Sequence, residues 1–306
     1  MKNIIKLIGI SLCTLVFLLF WSVLPAYASA QCNKDINNQK VLKENPGYYY
    51  YLIGLCEFEF IHDQKQFDIV VDAFTKSSKY DYTLSYFALG LLHDNKFKSG
   101  SLWFRSKGKL SDLLKSIENY KKAAENHSVL AENNLGEIYL HSANLTEKYK
   151  SNNDSNNIAG VSKILPNLTL AFYWLDRAAK HGNPAAQGTL ADLYYRGIGI
   201  PQNFVMAYVW QNLSVASQFR YNKNMQDSVT GREFINDQRL LAKKQYNKLT
   251  EMQKDSSQAF LKEYSKLYFK APTELDEMCQ NLQIYISGTL AEKYLDIYIK
   301  LMEKTK

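Results

Sequence analysis

The stretch that decides the fold is residues 171–203, which reads AFYWLDRAAKHGNPAAQGTLADLYYRGIGIPQN. Its opening motif returns 36 residues later as AYVWQNLS, where Ala207 takes the place of Ala171 and Trp210 that of Trp174. Self-similarity at a fixed spacing of this size is the signature of a repeat architecture. The sequence therefore predicts an array of similar units, with both tryptophans wedged between neighbouring units rather than forming a ligand cage.

Weaker copies of this unit lie towards the amino terminus. Residues 122–124 superpose on residues 177–179 at an offset of 55, which predicts an insertion of 19 residues relative to the 36-residue unit. An offset of 46 then relates Gly90 to Gly136, and an offset of 36 relates Gly54 to Gly90. We expect units of one kind to make up most of the chain, with insertions between some of them.

Each unit is predicted to be a hairpin of two helices. Apolar residues recur at i, i+4, i+7 and i+8 from Ala171, and Leu190 and Tyr194 continue a matching face in the second helix. Gly182 suits the end of the first helix, and Pro184 suits the first turn of the second. A single hairpin cannot bury its apolar faces, so the predicted fold class is all-α, an α/α solenoid of stacked helical hairpins.

With this spacing, residues 171–203 resemble a Sel1-like repeat of the tetratricopeptide-like type. The resemblance rests on Trp174, on the alanine pair that follows it, and on the Gly197-x-Gly199 ending, and it extends more weakly to residues 207–216 and 116–140. It implies a scaffold or adaptor that binds another protein through a groove lined by the first helices. It implies no reaction and no cofactor.

The first thirty residues are predicted to be a signal peptide. Lys2 and Lys6 precede a mostly apolar run, and small residues at Ala28 and Ala30 fit a cleavage site, with an uncleaved anchor as the alternative. Either outcome predicts an exported protein, periplasmic or secreted, and a bacterial envelope is the expected setting. The predicted division is 1–30 signal peptide, 31–220 repeat array and 221–306 C-terminal helical cap.

The C-terminal cap is predicted to consist of extra helices that cover the last apolar face of the stack. Thr250 and Gln253 have the spacing of a capping box at the start of one of them. Two further helices are expected near residues 273–283 and 289–303. Such capping helices keep a repeat stack from associating end to end.

Composition and motifs favour binding to protein over other functions. The formal charge is +7 with the positive residues scattered along the chain, which disfavours nucleic-acid binding. The sequence contains no Gly-x-Ser-x-Gly elbow, phosphate-binding Gly-rich loop or His-Glu-x-x-His pair, so no catalytic residue, metal ligand or cofactor is assigned. His93 and Asp94 are expected at the carboxyl end of a second helix. A cell-envelope enzyme, whose carboxylates only the fold would bring together, is the alternative.

Residues for partner contact are predicted on the outward faces of the first helices, offset from the tryptophan stripe. These are Glu118, Lys121, Tyr173, Asp176, Lys180, Val209 and Asn212. Trp103 and Phe104 lie in an insertion flanked by lysines, where they either fold back as a lid, the preferred interpretation, or contact a partner or an anionic membrane. A membrane-peripheral or ligand-binding module is thus a further alternative function.

Cysteine usage fits an oxidising compartment. Cys32 opens the first hairpin and Cys56 lies near its end, so the two are expected to be neighbours in an antiparallel helix pair and to form a disulfide. Closing a loop of about 25 residues would stabilise the fold by about 3 kcal/mol on the chain-entropy model. Cys279 would then be unpaired.

Overall fold

A computed structural model of the chain describes residues 39–58, 61, 63–99, 110–150, 167–221 and 229–283. Every regular element among these residues is a helix, so the fold class is all-α as predicted. In chain order the helices are α1 (Gln39–Glu44), α2 (Pro46–Phe58), α3 (Gln64–Ser78), α4 (Thr83–Ser99), α5 (Leu110–Glu125), α6 (Val129–Lys150), α7 (Leu168–Lys180), α8 (Pro184–Arg196), α9 (Phe204–Tyr221), α10 (Val229–Tyr246), α11 (Glu251–Tyr268) and α12 (residues 274–283).

The chain forms two compact units, residues 1–85 and residues 86–306. In the first unit, α2 packs along α3, and aromatic side chains fill the space between them. The buried Tyr51 ring lies 5.8 Å from that of Phe74 and 5.1 Å from that of Tyr82. The tyrosine-rich start of α2 therefore serves largely as packing within this unit.

The second unit contains the stacked hairpins. Helices α5 and α6, α7 and α8, and α9 and α10 form three antiparallel pairs, and α6 packs on α7 as α8 packs on α9. Each of these second helices thus receives the first helix of the next pair. The largest buried side chains of the common core include Leu175, Leu190 and Trp210. This is the α/α solenoid arrangement that the repeat predicted.

One packing contact recurs at the offsets read from the sequence. A Cβ placed on Gly54 would lie 2.6 Å from the Phe74 ring, and one on Gly90 would lie 2.5 Å from the Tyr120 ring. A Cβ on Gly136 would lie 2.5 Å from the Leu175 side chain. Each glycine therefore lets a large residue of the next first helix approach the second helix, and the weak copies are genuine repeats of the unit.

The turns inside the hairpins also repeat. Asp81, His127 and Gly182 stand at the same offsets of 46 and 55 and have positive φ angles of 54°, 69° and 94°. A left-handed residue at this point ends the first helix and redirects the chain into the second. The left-handed role predicted for Gly182 is confirmed, and two non-glycine residues take the same role in the earlier hairpins.

Local capping signals are found where the sequence placed them. Pro184 lies in the first turn of α8, and Gly197 ends that helix with a left-handed φ of 69°. The Thr250 side chain accepts a hydrogen bond from the Gln253 amide, and the Gln253 side chain accepts one from the Thr250 amide. The predicted capping box at the start of α11 is thereby confirmed.

Of the predicted C-terminal helices, α11 and α12 are present, whereas residues 289–303 lie outside the described part of the chain. Helix α11 covers a different face from the one predicted. It packs on α9 and also reaches α7, both of which are first helices. Phe234, Leu240 and Leu241 of α10, the last second helix of the stack, are 41%, 56% and 38% exposed. Sequence periodicity predicts that a helix is amphipathic, but it does not predict which neighbouring face that helix will cover.

The segment after α11 runs along the turns of the hairpins. A Cβ on Gly182 would lie 3.2 Å from the Lys270 side chain, and the Cys279 sulfur lies 3.4 Å from the Ser128 hydroxyl. Gly182 and Ser128 belong to the turns of two successive hairpins. This segment therefore contacts both turns and links the two hairpins.

Candidate protein-binding surface

The outward face of α7 presents three of the predicted contact residues. The opposite face of the helix is buried through Ala171, Leu175 and Ala178 among others, which leaves Tyr173, Asp176 and Lys180 on the outside. Tyr173 is 51% exposed, and its ring meets the edge of the Trp174 ring at 5.0 Å. Asp176 and Lys180 form an ion pair of 2.7 Å between carboxylate and amine. The face thus combines an exposed aromatic ring with a fixed charge pair.

The neighbouring first helices contribute less than predicted. On α5, Lys121 is exposed and Glu118 pairs with Lys122 at 3.0 Å. On α9, Asn212 is half-buried and its amide donates to the Tyr208 carbonyl of the same helix at 2.8 Å. We refer below to Glu118, Lys121, Tyr173, Asp176, Lys180 and Asn212 together as the first-helix surface.

The prediction that Val209 lies on this surface was wrong. Val209 is fully buried within the common core. Helix α9 packs against three helices, α8, α10 and α11, and therefore has almost no outward face. A helical wheel drawn for one repeat does not show that a third helix covers α9.

The end of the first-helix surface that includes Asp176 and Lys180 lies beside α11, which packs on α9 and reaches α7. The Trp210 ring stacks on that of Tyr268 at 5.8 Å and meets that of Tyr264 at 5.5 Å. Burial lowers the pKa of Lys180, but the hydrogen bond and charge of Asp176, with Tyr268 and Tyr264 nearby, raise it overall. Burial also raises the pKa of Tyr264. The Asp176 and Lys180 pair is thus partly exposed and lies close enough to the tyrosines of α11 to interact with them electrostatically.

The two equivalent tryptophans are both buried but have different ring partners. Trp174 is 8% exposed, and the Arg177 guanidinium lies 5.5 Å from its ring centre. Trp210 is 1% exposed beneath the tyrosines of α11. Both tryptophans are buried, and Trp210 belongs to the common core of the hairpins; their outer contacts differ because α11 packs on α9.

A buried charge cluster that the sequence did not indicate joins two hairpins. The Glu132 carboxylate of α6 is fully buried and lies 2.6 Å from Arg177 and 2.8 Å from His181 of the next hairpin. No spacing rule relates residues this far apart in sequence. Because breaking a buried pair leaves an uncompensated charge, removing either partner of Glu132 would destabilise the contact between the two hairpins.

The prediction that His93 and Asp94 end a second helix was wrong. Helix α4 continues to Ser99, and both side chains are buried within it. His93 Nδ1 lies 3.5 Å from Asp112 Oδ1. Burial, with the charge of Asp94, raises the pKa of Tyr120 well above its ordinary value. These groups form an internal polar cluster.

A pocket of about 450 Å³ lies between the start of α9 and the first half of α11. Its lining consists of Gln202, Asn203, Phe204, Val205, Met206, Gln253, Ser256 and Phe260. The side chains of these described residues are uncharged. Among the described residues, no three His, Cys, Asp or Glu side chains are grouped in a way that would hold a metal ion.

Several predicted residues fall outside the described part of the chain. These are Trp103, Phe104 and Cys32. Cys56 is buried and disulfide-bonded, whereas Cys279 is a buried free thiol whose pKa burial raises to about 12. The pairing of Cys56 with Cys32 stays a prediction. In the described ranges, none of the helices has the length and apolarity needed to span a bilayer.

Comparison with known proteins identifies the repeat. The family model for the Sel1 repeat matches residues 99–128, 159–183 and 184–210. The structure is similar to that of a Sel1 repeat protein from Oxalobacter formigenes, at 15% identity and a TM-score of 0.41, over 85% of this chain and 69% of that one. A search of curated proteins finds no match.

A second similar structure is that of a protective antigen of uropathogenic Escherichia coli strains, which displays an SLR fold. It shares 21% identity at a TM-score of 0.35, over 78% of this chain and 49% of that one. The chain thus spans about half the length of that protein. The matched ranges of the family model contain α5, the first helix of one hairpin that the internal offsets defined, and both helices of the next, α7 and α8. Three stretches of this chain therefore match the Sel1 repeat, the family that residues 171–203 resemble.

Proposed function

We propose that this chain is an exported scaffold or adaptor that binds a protein partner through its first-helix surface. The observation that carries the proposal is the outward face of α7, where a half-exposed Tyr173 adjoins the fixed pair of Asp176 and Lys180. Tyrosine is enriched at protein interfaces because its ring offers a large contact area with a polar end. Repeat stacks of this kind present extended binding surfaces, and their function depends on the residues displayed.

Site-specific photo-crosslinking tests this proposal directly. A photoreactive amino acid at position 173 of the full chain should capture a defined protein from the organism's envelope fraction. The matched control places it at Ala185, which is exposed on the second helix α8. Equal capture from the two positions would contradict a partner surface on the first helices. So would purified protein that carries only small glycans.

Export is proposed because residues 1–30 have the lysines, the apolar run and the small residues of a signal peptide. We expect cleavage after Ala30, so that the mature chain begins at Gln31. Mass spectrometry of protein purified from the producing cell measures this directly. A mature mass that includes residues 1–30 would instead indicate a retained anchor.

The Cys32–Cys56 disulfide is proposed as a covalent staple of the first hairpin. Cys56 lies in α2, which the bond would tie to the part of the chain that precedes α1. Reduction should lower the free energy of unfolding by about 3 kcal/mol. Peptide mapping under non-reducing conditions identifies the pair, and the double variant Cys32→Ser and Cys56→Ser should behave like the reduced protein. Recovery of Cys56 in a crosslink to any other cysteine would contradict it.

Trp103 and Phe104 are proposed to fold back onto the array as a lid. The double variant Trp103→Ala and Phe104→Ala should then lose thermal stability while partner capture at position 173 is retained. Unchanged stability with lost capture, or with lost binding to anionic vesicles, would instead show that the insertion contacts a partner or a membrane.

A further inference from the structure

Helix α11 occupies part of the first-helix surface instead of extending the stack. As the helix that follows a complete hairpin, it would lengthen the array by packing on α10, yet it packs on α9 and reaches α7. Leu261, Tyr264 and Tyr268 contact the common core and stand at i, i+3 and i+7. This is the anchor spacing of an amphipathic helix bound in a groove.

We propose that this surface binds an amphipathic helix of the partner, with aromatic anchors at that spacing, and that α11 fills the site until the partner displaces it. The inference rests on the proposed function and names the kind of partner. The chain's own helix shows which ligand shape the surface accepts. A partner helix would therefore compete with α11 for one set of contacts.

The contacts of α11 suit a helix that exchanges. Its outer residues Met252 and Leu267 are 81% and 48% exposed, so its outer face is left open. Its side-chain tie to α9, from Gln258 to the Tyr208 hydroxyl, is 3.4 Å long. Helices α7 and α9, by contrast, are held by neighbours on several sides. Loss of α11 would uncover the surface without dismantling the hairpins.

The receiving surface selects aromatic anchors. Trp210 stacks on one tyrosine at an interplanar angle of 24° and meets the other edge-on at 61°. Aromatic pairs in these geometries gain stabilisation beyond the area they bury. The Asp176 and Lys180 pair at the margin adds polar groups close to the tyrosine rings. A partner helix with tyrosine or tryptophan at the second and third anchor positions would reproduce these contacts.

Binding of a synthetic peptide tests the proposal. A fluorescent peptide of residues 251–270 is titrated against the full chain, its double variant Tyr264→Ala and Tyr268→Ala, and a control variant Met252→Ala and Leu267→Ala, which changes only exposed residues of α11. When the chain's own helix fills the site, the apparent affinity for an added peptide is the intrinsic affinity multiplied by the fraction of molecules in which the site is open. We expect the first variant to bind the peptide at least about tenfold more tightly than the wild type, and the control to match the wild type.

Two further measurements decide the outcome. Adding Trp210→Ala to the first variant should abolish peptide binding, and in the wild type the amides of α11 should exchange with solvent faster than those of α7. Equal peptide affinity in all three proteins would overturn the proposal. Protection of α11 equal to that of α7 would overturn it as well, even if the tyrosine variant failed to fold.

The two proposals fail separately. Capture of a protein at position 173 without peptide binding would overturn the helix-exchange inference and support the proposed function. Peptide binding that depends on Trp210, with no protein captured at position 173, would support the exchange inference for this surface and contradict the proposed partner.

Discussion

His127 adopts a left-handed backbone conformation that Gly182 takes at the equivalent turn without a Cβ penalty. For a residue with a Cβ that conformation costs about 1–2 kcal/mol, whereas glycine pays about 0.5–1 kcal/mol in chain entropy. His127→Gly should therefore raise the free energy of unfolding by up to about 1 kcal/mol. Urea titration measures the change.

The reverse substitution at the equivalent turn is the control. Gly182→Ala should destabilise the fold, because the added Cβ would also lie 3.2 Å from the Lys270 side chain. A loss of stability in His127→Gly would show that the imidazole makes contacts that outweigh the backbone strain.

Residue-scale features were predictable where the chemistry is local. The left-handed end at Gly182 and the capping box at Thr250 depend on neighbours within a few residues, so the sequence displays them. The Glu132 cluster depends on residues from separate hairpins, and Val209 depends on how many helices surround α9. No short-range pattern carries that information.

At the scale of the element, the spacing between one hairpin and the next depends on a small residue in each second helix. Gly136→Ala would place a Cβ 2.5 Å from the Leu175 side chain, a distance that forces α6 and α7 apart. Overpacking of this kind typically costs about 1–3 kcal/mol. We expect a loss of that size in the free energy of unfolding, measured by chemical denaturation.

Gly188, in the second helix of the next hairpin, provides the matched comparison. A Cβ on Gly188 would meet only the Ser214 hydroxyl at 3.2 Å, and alanine favours a helix interior by about 1 kcal/mol over glycine. Gly188→Ala should therefore change stability little or raise it. Equal losses for the two variants would indicate a general intolerance of alanine in second helices, not a contact specific to Leu175.

Helices and their pairing followed from sequence because the repeat supplies several copies of the same pattern. The offsets around Gly54, Gly90 and Gly136 located hairpins whose own motifs are weak, and the packing on the next first helix bears them out. The position of α11 was not predictable in this way. It occurs once, so no second copy shows which face it covers, and its tyrosines suit several apolar surfaces equally well.

At the scale of the whole molecule, buried tyrosines make stability depend on alkaline pH in both compact units. Burial is the main reason that the folded-state pKa values of several tyrosines are raised: Tyr82 in the first unit and Tyr120, Tyr194 and Tyr264 in the second. Above pH 10 the unfolded chain loses phenolic protons that the folded protein keeps. Since the unfolded state then binds fewer protons, stability falls as pH rises.

The melting temperature should accordingly be nearly constant from pH 7 to pH 9 and fall above pH 10, with each shifted tyrosine contributing a slope of up to about 1.4 kcal/mol per pH unit. Tyr120, fully buried beside Asp94, should contribute strongly, so Tyr120→Phe is expected to make the decline less steep. The control is Tyr173→Phe, which removes an exposed hydroxyl and should leave the decline unchanged. Calorimetry across this range measures all three proteins. A wild-type melting temperature at pH 11 equal to that at pH 8 would mean that these phenols ionise in the folded protein as easily as in the unfolded chain.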